Sequence, residues 1–158
     1  MRRLPSVLAA AGTLVLLTGC ASTPSVDLDA AREWLETVQA EQSDGPGAAG
    51  VATMLVGTTT PDPDDEGDDG IRLDFENPAG LKRAEARCFG GGTVEVAVTV
   101  YSEDGARSDS FGDEIACDRE PHDIALDAGP ASAAVVSGRG SAETYLHVVL
   151  IEELTVER

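Results

Sequence analysis

From Thr93 to Tyr101 the chain reads Thr-Val-Glu-Val-Ala-Val-Thr-Val-Tyr, placing Val94, Val96, Val98 and Val100 at strict alternation with Thr93, Glu95, Ala97 and Thr99. A helix would scatter four such valines around its circumference, whereas an extended strand sets all four on one face. This run therefore demands a sheet with one buried side. The same period recurs at Ile71, Leu73 and Phe75 and at Ile124 and Leu126, and less distinctly at 51–56, 83–89, 113–117 and 131–137. Residues 143–152 differ in being apolar on both faces: Leu146, Val148 and Leu150 share one side, and Tyr145, Val149 and Ile151 the other. Such a strand is expected in a central position with another layer over each face.

One segment carries the helical period. Leu28, Ala31, Leu35 and Val38 fall on a single helical face with Trp34 beside it, Asp27 stands where an N-cap belongs, and Arg32 can reach Glu36 at i,i+4. An amphipathic helix is expected over 28–41, ended by Ser43-Asp44-Gly45-Pro46-Gly47. Turn chemistry at Gly90-Gly91-Gly92, Asp104-Gly105, Gly129-Pro130 and Gly138-Arg139-Gly140 predicts antiparallel neighbours joined by hairpins. The expected fold is a mainly β, antiparallel β-sandwich, meander or Greek key, with one N-terminal helix. Its expected core contains Leu35, Leu73, Phe75, Val94, Val96, Val98, Ile124, Leu126, Val136, Leu146 and Val148.

The first residues have a different purpose. Arg2 and Arg3 precede an apolar run from Leu4 to Leu17, interrupted by Pro5, Ser6, Gly12 and Thr13, which is the layout of a secretory signal and too short to span a bilayer. The run ends in Leu17-Thr18-Gly19-Cys20, which resembles the lipobox of bacterial lipoproteins. That resemblance implies cleavage between Gly19 and Cys20, a diacylglyceryl thioether on Cys20, a fatty-acyl group such as palmitate on the new amino terminus, and residence on the outer face of the cytoplasmic membrane. The competing reading is an ordinary signal peptide with a chance cysteine. The expected organisation is a signal peptide at 1–19, a lipidated Cys20 with a short tether at 20–27, and one domain at 28–158. Residues 21–26 reach at most roughly 20 Å, so the domain is expected close to the bilayer.

The remaining cysteines, Cys88 and Cys117, form an even pair in an exported chain and are read first as a disulfide. Strand parity allows both sulfurs to face one core, Cys88 with Ala84 and Ala86, and Cys117 with Ile115. Their spacing, with only His122 and His147 as further soft ligands, does not fit a zinc site.

The net charge is −18, and losing residues 1–19 removes Arg2 and Arg3 but no acid, giving −20. Such a field repels nucleic acid and anionic lipid headgroups and attracts basic proteins and cations. Expected partners are thus the bilayer through Cys20 and a basic envelope protein or cation-bridged wall polymer, with no nucleic acid. The stretch 58–70, Thr-Thr-Thr-Pro-Asp-Pro-Asp-Asp-Glu-Gly-Asp-Asp-Gly, carries six acids and is read as a solvated acidic loop. As an EF-hand counted from Asp62 it would place Leu73 at the bidentate acid and Asp69 at a hydrophobic position, so the calcium register fails.

Catalytic signatures are sparse. There is no G-x-S-x-G and no S-x-x-K string. Gly90-Gly91-Gly92 is expected to lie between strands, without a following helix to hold a phosphate. Of six aromatic residues, Phe111 falls in a polar stretch, where it is either a lone carbohydrate platform or a ring packed back on the sheet. His122 and His147 are both read as satisfied core or edge residues. The expectation is a non-catalytic binding or structural accessory module without cofactor or metal. The alternative is an extracytoplasmic hydrolase using His122 with Asp123.

The span from Cys88-Phe89-Gly90-Gly91-Gly92 through the alternating valines to Cys117-Asp118-Arg119-Glu120-Pro121-His122 resembles small lipoproteins of high-GC Gram-positive bacteria whose role is uncharacterised. The resemblance covers roughly half of the mature chain. It implies a disulfide-bearing β-sandwich on the cell surface and implies no particular activity.

Overall fold

The structure is a computed structural model describing residues 26–42, 47–58 and 70–152; the signal segment, Cys20 and almost all of the acidic stretch 58–70 lie outside the described residues. Its elements in chain order are α1 (Leu28–Gln42), β1 (Ala48–Val56), β2 (Gly70–Gly90), β3 (Thr93–Ser102), β4 (Ser108–Ala116), β5 (His122–Ala125), β6 (Pro130–Gly140) and β7 (Thr144–Glu152). Every strand pair is antiparallel. The strand order is β1-β7-β2-β6-β3-β4, with β5 also on β2, so the sheet is open and not closed on itself. The mainly β, antiparallel class with a single N-terminal helix is the one the sequence predicts.

β2 organises the whole. The sequence suggests two strands, at 71–75 and 83–89, but they are one strand of 21 residues. Its first part, Gly70 to Gly80, pairs with β6; its second, Leu81 to Gly90, pairs with β7, while Arg83 to Ala86 also pair with β5. Between the two expected strands, across Asn77-Pro78, the pairing with β6 shifts register between Asp74 and Ala79. Proline cannot donate to a ladder, so it is accommodated where the pairing is already interrupted. Two ladders therefore meet in β2: β1-β7-β2-β5 and β2-β6-β3-β4.

The loops differ from expectation in one respect. Among the described residues only β3 and β4 form a hairpin between sequence neighbours, closed by Ser102, Asp104 and Gly105. The Gly90-Gly91-Gly92 turn is not a hairpin: β2 and β3 do not pair with each other, and the turn carries the chain from the end of β2, paired with β7, to β3, paired with β6 and β4, with φ of +149° at Gly90 and +78° at Gly92. Gly138-Arg139-Gly140 completes β6 on the β3 ladder before β7 joins the other, and Gly129-Pro130 likewise passes from β5 on one ladder to β6 on the other. The arrangement is consequently not a meander. Alternation specifies which face a residue occupies but not which strand lies beside it.

One core is shared by both ladders. Val94, Val96, Val98 and Val136 from one side and Ala84, Ala86, Leu146, Val148 and Leu150 from the other are fully or almost fully buried, with Ile124 and Leu126. The ladders touch where side chains are smallest: a Cβ on Gly138 of β6 would lie 2.8 Å from Leu146 Cδ2 and 3.0 Å from Val56 Cγ1. Leu73 and Phe75, expected in the core, are half-buried against its margin. Leu35 is half-buried but lies outside it, because α1 contributes no residue to that core.

The helix instead covers the outer face of the β2-β7 region. Asp27 caps it, its Oδ1 accepting from the amides of Asp29 and Ala30 at 3.1 Å each. Arg32 pairs with Asp29 at 2.8 Å and not with the expected Glu36, since the first-turn acid is equally near on the helix surface. Ala31 and Val38 are buried, and the Trp34 ring lies 5.7 Å from that of Phe89.

Candidate functional site

Two constellations of polar side chains stand out, one at the disulfide and one beneath α1. Cys88, near the end of β2, is bonded to Cys117, just after β4, across a separation of 29 residues with Cα atoms 4.9 Å apart. The Cys117 amide donates to the Gly92 carbonyl at 3.0 Å, drawing the next loop against the glycine turn. In that loop Asp118 Oδ1 accepts from the Glu120 amide and from His122 Nε2, both at 3.0 Å. These bonds, that of His122 first, hold the Asp118 carboxyl below the usual carboxylate range. Arg119 adopts φ of +73°, a region that non-glycine residues rarely occupy. Its guanidinium lies 4.5 Å from the centre of the Phe89 ring, so Arg119, Phe89 and Trp34 form a short stack.

The two members of the proposed hydrolytic pair do not come together. His122 opens β5 half-buried on the side of Ile124, whereas Asp123 points the other way, exposed and bonded to Arg83. Among the described residues the imidazole is instead oriented by Asp118 four positions earlier. An i,i+4 Asp-His spacing was visible in the sequence, but only the turn through Arg119 brings the two side chains into contact.

The second constellation is less exposed. His147 of β7 is 1% exposed and sits on the face opposite the main core, between β1 and β2 and under the last turn of α1. The Gln42 amide nitrogen donates to Glu85 Oε1 at 2.5 Å, which directs its carbonyl oxygen to His147 Nε2 at 2.8 Å. A carbonyl only accepts, so Nε2 carries the proton, and Nδ1 accepts from the Thr53 hydroxyl at 2.9 Å. The neutral imidazole is thus satisfied at both nitrogens. Burial foremost, then the nearby Arg87 charge, pull its pKa down to about 4, against an opposing pull from Glu85. Arg87 donates to Glu85 from Nε at 3.1 Å and Nη2 at 3.0 Å, and reaches Glu41 of α1 at 3.2 Å. The sequence reading of His147 as a satisfied histidine agrees with this; its partners on α1 and β1 were beyond that reading.

At the far end of the β3-β4 hairpin a cleft of about 650 Å³ is lined by residues including Ser102, Asp104, Arg107, Asp109 and Pro130. Its acid Asp104 is engaged in the turn, accepting from the Ser102 hydroxyl at 2.7 Å and the Ala106 amide at 3.0 Å, bonds that lower its pKa, Ser102 most. Phe111 is not in a loop. It lies in β4 opposite Val98, half-buried against the core, so the packing alternative holds and a sugar platform does not. Among the described residues, no group of three or more His, Cys, Asp or Glu side chains is placed to hold a metal ion, and no helix is long and apolar enough to cross a membrane. The chain matches no known protein family and no curated protein in sequence.

Proposed function

We propose that this chain is an exported lipoprotein, held by a lipid on Cys20 at the outer face of the cytoplasmic membrane. Its β domain serves as a non-catalytic binding or structural accessory module of the cell envelope. The observation that carries this reading is the apolar run ending in Leu17-Thr18-Gly19-Cys20. The disulfide supports it, since such bonds persist in oxidising compartments and are rare in the cytosol. Of the hydrolytic alternative, the pair His122 with Asp123 is not assembled, the acid on the imidazole being Asp118.

Charge selects the partner class. A domain that carries −20 after cleavage, tethered next to an anionic bilayer, is repelled from lipid and gains encounter rate with cationic surfaces. The partner is therefore a basic envelope protein or a wall polymer bridged by cations. Crosslinking on intact cells at low salt, followed by purification and mass spectrometry, tests this. The proposal expects a basic envelope protein or wall fragments to be captured, in yields that fall as salt rises. Capture of nothing, together with ester or peptide hydrolysis by the purified domain that His122→Ala abolishes, would replace it with the enzyme.

A further inference from the structure

The helix is joined to the domain differently from every strand. No residue of α1 belongs to the core that unites the two ladders. Its apolar attachment consists of buried Ala31 and Val38 and of Trp34 against Phe89, while Leu28 remains 42% exposed. A lone helix of 15 residues is marginal in water, so α1 depends on its docking. Its C-terminal turn carries polar fastenings, Glu41 to Arg87 and Gln42 to Glu85 and His147.

We propose that α1 is an acid-released strap: its last turn, bonded to His147 through Gln42, shuts that imidazole from water, and because the buried seam has no room for another positive charge, protonation of the ring at Nδ1 lets the helix lift away while the disulfide-bonded sheet stays folded. Every group around the ring bears on this. From α1 come Glu41 and Gln42, from β2 Glu85 and Arg87, and from β1 Thr53, while Tyr145 and Val149 share its face of β7. Arg83 also approaches Glu85, at 3.6 Å. Arg87 opposes a second positive charge in the seam. Glu85 favours one, but its Oε1 already accepts from Arg87 and from Gln42. Lifting the helix exposes the imidazole to water, where a charge is no longer penalised.

The direction follows from linkage. The docked ring takes its proton at about 4 and a freely solvated one at 6.5, so the released form binds the proton more tightly. Docking is at full strength above pH 6.5, weakens by up to tenfold for each pH unit below it, and has lost roughly 30-fold by pH 5. The consequence for the anchored protein rests on the Cys20 reading. Releasing α1 would lengthen the tether by up to roughly 50 Å of extended chain, compared with about 22 Å of helix.

Trp34, the single tryptophan of the chain, reports the event directly because it sits on α1 against Phe89. Its fluorescence in the purified mature chain, followed from pH 7.5 to 4.5, is expected to shift to longer wavelength and become quenchable by acrylamide. Hydrogen exchange, corrected for its intrinsic pH dependence, should quicken at least tenfold over residues 31–42 while β3 and β6 keep their protection. His147→Gln should abolish the transition between pH 7.5 and 5. An unmoved Trp34, the same transition in His147→Gln, or simultaneous loss of α1 and sheet protection would each overturn the strap. Should the variant not fold, the wild-type imidazole nitrogen shifts decide: His147 must protonate together with the Trp34 transition, and a mismatch rejects the proposal. Repeating the titration on Cys20→Ser separates the two readings, since the strap does not need the lipid. Release in a variant that never required the lipid for membrane retention would leave the strap intact and remove the anchor.

Discussion

Gln42 and His147 stand 105 positions apart, yet a 2.8 Å hydrogen bond between them closes α1 onto β7. Through the other ring nitrogen the same imidazole holds Thr53 of β1. One neutral side chain therefore ties the helix to two strands.

Removing that side chain has a definite cost. His147→Ala leaves the Thr53 hydroxyl and the Gln42 carbonyl without their partner and opens a cavity. At pH 7 it should lower stability to urea by roughly 2 to 4 kcal/mol, measured as a fall in the denaturation midpoint with an unchanged slope.

The pH dependence has an unambiguous sign. The folded value of His147, about 4, lies below the ordinary 6.5, so its contribution is fully present above pH 6.5 and is lost as the pH falls towards 4. Between pH 7 and 5 the loss is about 2 kcal/mol. Urea midpoints compared at pH 7 and 5 in the wild type and in His147→Gln should show that increment only in the wild type.

The disulfide closes a loop across a separation of 29 residues, which in the chain-entropy account is worth about 3 to 4 kcal/mol. Cys88→Ser with Cys117→Ser should lower the melting temperature accordingly. The intact wild-type chain should gain two hydrogens on reduction, as read by mass spectrometry.

Gly138 probes the contact between ladders. A valine there would press on Leu146 and Val56, and overpacking of this kind costs roughly 1 to 3 kcal/mol. Gly129→Val, at a position where an added Cβ meets nothing within 4 Å, provides the comparison in thermal denaturation and should change little.

Much of this fold was legible because burial and period coincide. Val94 to Val100 alternate in sequence and are buried alternately in β3, and Asp27 caps the helix that its position announces. What stayed hidden depends on neighbours rather than on faces. The runs at 71–75 and 83–89 looked like two strands, but the irregular pairing around Pro78 lets β2 run on into a second ladder. The triple glycine looked like a hairpin because its flanking strands have the right pattern, although each already had partners elsewhere. The polar seam was hidden for the same reason: nothing local to His147 names Gln42 or Thr53. Asp118 and His122 were within sight of each other, but their meeting depends on the left-handed turn at Arg119.

The anchor proposed on Cys20 is open to direct test through the mass of the protein extracted from membranes. The expected result is a chain beginning at Cys20 that carries a diacylglyceryl group, with the modification and its palmitate label lost in Cys20→Ser. A membrane-extracted chain with an unmodified Cys20, or a Cys20→Ser variant still processed and partitioning into detergent like the wild type, would contradict it.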